Sequence, residues 1–95
     1  MLGIKRSVAV GLVHCELRNV VRNKLQGLDY DAIIALNGPS IYDSIQEGVS
    51  IILDDANASY DSIMEAKHLV AKIFESEAKM EISSAYWKLS QMINC

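Results

Sequence analysis

Cys15 is the most reactive type of side chain in the first third of the chain. It follows the apolar run from Ser7 to Val13, where a strand would give way to a helix, and the amides of a helix start lower a thiol pKa. A loop that wraps an anion also needs small residues, yet Glu16 and Leu17 come next and Arg18 and Arg22 do not complete such a loop. Cys15 is therefore expected beside a site without acting as its nucleophile. Asp54-Asp55 offers carboxylate oxygens of the kind hard cations take. With Asn57 and Ser59 just beyond, the pair reads as turn and helix-cap chemistry instead. Glu65 and His68 are three apart on one helical face, half of a di-iron pattern. The other half is missing, because Gly11 stands three residues before the second histidine, His14. The sequence thus assigns no catalytic residue, no metal ligand and no cofactor, and an independent enzyme is not the expected reading.

A recurrence is more informative than any of these groups. Aligning Ala32 on Ser50 superimposes Ile33-Ile34 on Ile51-Ile52, Tyr42-Asp43-Ser44-Ile45 on Tyr60-Asp61-Ser62-Ile63, and Glu47 on Glu65. A weaker copy, Tyr30-Asp31-Ala32-Ile33, falls out of phase with the other two. Two copies are too few for a repeat array, so the pattern marks a recurring supersecondary unit. Asp near a helix start complements the helix dipole, and Ser40 with Asp43 resembles a capping box, so helix-start chemistry accounts for the Tyr-Asp pairs.

The elements that must position these residues are read from short apolar runs. Residues 7–13, 32–36 and 49–53 are short, apolar and bounded by turn chemistry, which favours buried strands. Glu16 to Gln26 carries Leu17, Val20, Val21 and Leu25 on one helical face, and Gly27 sits where a helix-ending glycine belongs. Gly48 repeats that logic before Val49. The predicted fold is a single α/β domain over residues 1–95: a small three-stranded parallel sheet in β-α-β-α-β-α order with an extra C-terminal helix. The alternative is an all-α bundle, because Ile41, Ile45, Val49, Ile52, Tyr60, Ile63 and Val70 also fall near one helical stripe. That alternative needs a chain reversal between Asp54 and Ser59 and places Gly11 and Gly48 inside helices, at about 1 kcal/mol each relative to Ala.

On the α/β reading, ligands gather where the strands end, so Asn37, Ser40, Asp55 and Asn57 are the expected ligand-binding residues. The acidic pair tilts that ligand toward a cation or a neutral polar molecule.

Charge is divided along the chain. Residues 1–28 carry five basic side chains against Glu16, a net +4, and residues 29–95 carry four lysines against eleven carboxylates, a net −7. Arg18 and Arg22, one turn apart, form a basic face expected to pair with carboxylates of this protein or of a neighbour. Nucleic acid ranks behind that as a partner, since a binder concentrates more positive charge on one face. A chain of 95 residues buries a modest core, and Tyr86, Trp87, Met92 and Ile93 offer an apolar C-terminal surface of the types that anchor interfaces. The expected function is accordingly a small homo-oligomeric subunit or regulatory adaptor acting through protein–protein contacts, with small-ligand binding as the alternative. No stretch is long and apolar enough to span a membrane. Lys5-Arg6, an apolar run and Cys15 faintly resemble a lipoprotein signal, but His14 stands where a small residue belongs and the run is short. With Cys15 and Cys95 forming no disulfide framework, the expected location is cytoplasmic.

Overall fold

The computed structural model describes the backbone of residues 2–93 and the side chains of residue 8 and residues 10–93. Cys95 lies outside the described residues. Within them the chain forms α1 (Leu2–Leu25), α2 (Tyr30–Asn37), α3 (Ile41–Asp55), α4 (Tyr60–Glu75) and α5 (Lys79–Ile93). No strand occurs among the described residues, so the expected parallel sheet and small α/β domain are overturned, and the all-helical alternative is what the chain adopts.

The burial pattern gives the physical reason. A strand over 49–53 would bury Val49, Ile51 and Leu53 together, whereas Val49, Ile52 and Leu53 are buried and Ile51 is exposed. In 7–13, Val8 and Leu12 are exposed while Val13 is buried, and in 32–36 Ile33 alone is buried. In none of the three runs does burial alternate as a half-buried strand requires, and burial on a shared helical face outweighs the modest preference of β-branched residues for strands.

The reversal that an all-helical chain requires is built by local hydrogen bonds. At the end of α3, Asn57 adopts a left-handed φ of 61°, its N–H donates to the Asp54 carbonyl at 3.0 Å, and the Ala58 N–H donates to the Leu53 carbonyl at 2.9 Å. Ser59 Oγ then accepts from the Ser62 N–H at 3.1 Å and starts α4. The turn from α1 to α2 is the same construction: Gly27 has a φ of 99°, Leu28 N–H donates to the Asn23 carbonyl at 3.1 Å, and Asp29 Oδ1 accepts from Ala32 N–H at 2.9 Å. Tyr30-Asp31 and Tyr60-Asp61 are therefore equivalent helix starts, and the copy that the sequence alignment leaves out of phase is structurally the true counterpart. Tyr42-Asp43 also opens a helix, but Ser40 makes no side-chain capping bond there, so the expected capping box is absent.

Helices α1, α3, α4 and α5 pack in a ring, each against the next, with α5 closing on α1. Val13 lies against Gly48 and Glu16 bonds to Ser44, an order of contacts that sets α1 and α3 antiparallel. Short connections at 56–59 and 76–78 reverse the chain again, giving an up-down-up-down bundle. At the end shared by the C-termini of α1 and α4, the buried Lys24 donates from Nζ to the Phe74 carbonyl at 2.8 Å, satisfying a helix-terminal acceptor with a cation. Tyr30 and Tyr42 meet the Phe74 ring edge-on, at 6.0 and 5.0 Å between centroids.

Gly48 does not end a helix, as its position before Val49 suggests; it lies within α3. A Cβ there would collide with Cγ2 of the buried Val13, so glycine is what lets α1 and α3 approach.

Candidate interaction face

The expected ligand residues do not share an edge. Asn37 ends α2 and Ser40 immediately precedes α3, while Asp55 and Asn57 lie at the other end of the 15-residue α3. At 1.5 Å per residue the two groups are about 20 Å apart. Local structure accounts for two of them. Asn37 donates from Nδ2 to the Ile33 carbonyl at 3.0 Å and accepts from Asn19 Nδ2 at 3.1 Å, tying α2 to α1. Asn57 occupies the left-handed position that ends α3. Cys15 is exposed in the middle of α1 and not between a strand and a helix start. Glu65 and His68 are exposed on α4. No group of three or more metal-binding side chains occurs among the described residues.

The expected C-terminal interface divides. Ile93 belongs to the bundle's own core, Tyr86 and Met92 are half-buried against it, and only Trp87 is well exposed, at 66%. Met80 stands two turns before Trp87 on the same outward side of α5.

A different face collects more of the unusual features. Val8 and Leu12 on α1 are 56% and 59% exposed, and Ile51 on α3 is 38% exposed. Between the two helices runs a groove of about 360 Å³ whose floor includes Leu12, Val13, Gly48 and Ile51. Its rim on the α3 side carries Asp43 and Glu47, both exposed. Glu16 joins the rim from α1, and its carboxylate accepts from Ser44 Oγ at 3.3 Å. Glu16 also borders a second depression, of about 480 Å³, which crosses α1 over Gly11 and Cys15 and is lined by Arg18 and Arg22. Neither arginine forms an ion pair among the described residues. His14 at the same depression has a buried Nε2 without a hydrogen-bond partner among them.

The face is therefore apolar along the groove floor, basic along the α1 edge at Arg18 and Arg22, and acidic along the α3 edge and at Glu16 beside the groove. Sequence reading missed Val8, Leu12 and Ile51 because each was assigned to a buried strand. A helical reading of residues 8–25 finds the first two: once Val13, Leu17, Val20, Val21 and Lys24 define the inward stripe, Val8 and Leu12 fall outside it.

Compared with protein-family models, with curated proteins and with solved structures, the chain matches none of them. No helix among the described residues is long and apolar enough to cross a membrane.

Proposed function

We propose that this chain is a small helical protein-binding module, a subunit or adaptor without catalysis of its own, that docks through the α1–α3 face. The observation that carries the reading is the exposure of Leu12 and Ile51 at an apolar-floored groove, with Val8 one turn from Leu12, flanked by charges of opposite sign that form no ion pair among the described residues. Contiguous apolar surface rimmed by polar groups is a feature of protein interfaces, and its burial would add to the limited core of a 95-residue bundle. The two cysteines, with no disulfide framework, suit a cytoplasmic setting. The test is retention by the immobilised chain of a protein partner, whether another copy or a different polypeptide, compared with Leu12→Glu. Loss of retention with unchanged circular dichroism supports the face; equal retention by both removes it.

Small-ligand binding is a second reading, favoured by Arg18 and Arg22, without ion-pair partners among the described residues, beside His14 at the larger depression. Guanidinium groups pair with phosphate or carboxylate in fixed geometry, so the ligand class on this reading is a small anion. Inorganic phosphate should then raise the melting temperature of the native chain and leave an Arg18→Gln, Arg22→Gln variant unmoved. Equal shifts in both chains dismiss it.

A further inference from the structure

We propose that the occupant of the α1–α3 face is a second copy of this chain, joined about a two-fold axis that runs parallel to the bundle. This rests on the docking face of the preceding section and names its partner. Such an axis leaves every height along the bundle unchanged, so that α1 of one protomer lies against α3 of the other, antiparallel to it. Residues level with one another in one protomer then meet across the interface.

The heights follow from two contacts. Val13 is level with Gly48, and Glu16 is level with Ser44. Carried along both helices at 1.5 Å per residue, Arg18 is level with about Asp43, and Ile51 with about Val10, midway between Val8 and Leu12. In the dimer, Ile51 therefore seats between the partner's Val8 and the partner's Leu12, twice over by symmetry. Arg18 on the basic edge comes opposite the partner's Asp43 on the acidic edge, with the partner's Glu47 one turn away. None of Arg18, Asp43 and Glu47 has an ion-pair partner among the described residues of its own chain. Apart from Glu16, which stands at the groove level with the partner's Ser44, the face sets apolar against apolar at Ile51 and opposite charges against each other at its edges, the self-complementarity that an isologous contact requires.

The experiment is sedimentation velocity on the full chain across a concentration series, with native mass spectrometry for stoichiometry. The expected result is a species of twice the 10.5 kDa chain mass. Leu12→Glu should weaken association by about a hundredfold, since it forces a charge into the apolar centre. Arg18→Asp and Asp43→Arg should each dissociate the dimer by setting like charges opposite one another. Mixing these two single variants should restore a dimer, because each chain then supplies the charge the other lacks. If Asp43→Arg disturbs the start of α3, Glu47→Arg serves in its place. A monomer at every concentration overturns the second copy as occupant, and so does a dimer that survives both Leu12→Glu and Arg18→Asp. Failure of the two charge variants to recombine overturns the pairing. If the chain is monomeric and yet holds a different polypeptide that Leu12→Glu releases, the docking face stands and only its occupant changes. If Leu12→Glu alters neither, both fall.

Discussion

Two glycines on neighbouring helices have opposite worth. Nothing lies within 4 Å of a Cβ built on Gly11, which sits inside α1 with helical neighbours on both sides. Gly11→Ala should therefore stabilise the fold by about 0.5–1 kcal/mol through helix preference alone, read as a higher melting temperature. At Gly48 the same change gains that preference but drives a methyl into Val13, whose branched side chain has little freedom to move aside. Gly48→Ala should cost about 1–2 kcal/mol net. Adding Val13→Ala should cost less than the two single changes summed, because the new methyl fills the space vacated. Lys24 is the other residue whose role only the folded chain discloses. Replacing it with Met keeps the apolar stem but leaves the Phe74 carbonyl without its donor, and chemical denaturation should report a loss of about 1–3 kcal/mol.

At the scale of elements, caps and turns decide where each helix stops. Asp29→Ala and Ser59→Ala each remove an acceptor from a helix start and should each cost about 1 kcal/mol in urea denaturation. Much of this punctuation was legible: Gly27 ends α1 as its position suggests, the Tyr-Asp pairs open helices, and the reversal after Asp55 falls where an all-helical chain needs one. What misled was length. Runs such as 49–53 are too short for period to separate strand from helix, and the β-branched residues in them tip the balance the wrong way. The 18-residue spacing compounded the error: it aligns Tyr42 with Tyr60, although Tyr30 shares the cap geometry of Tyr60 and Tyr42 does not. With the sheet gone, Asn37, Ser40, Asp55 and Asn57 had no common edge to share. Arg18 and Arg22 still share one side of α1, because two residues four apart on a helix do so whatever else surrounds it.

For the molecule as a whole, part of the charge division along the chain comes to one side, with Arg18 and Arg22 on α1 and Asp43 and Glu47 on α3. If that surface joins two copies through Arg18 and Asp43, raising the salt concentration should weaken association moderately, with the apolar centre persisting; sedimentation at low and high ionic strength measures this. A nucleic-acid partner would instead show a steep logarithmic loss of affinity with salt, which fluorescence anisotropy on a labelled oligonucleotide would detect. The ring of helices has one more consequence. Because α5 runs antiparallel to α1 and packs beside it, Leu2 and Ile93 come to the same end of the bundle. The order in which the helices are read is thus separable from the way they pack. A permuted chain, joined from α5 to α1 by a short flexible linker and opened at the exposed Glu77 between α4 and α5, should fold to the same bundle with the docking face intact.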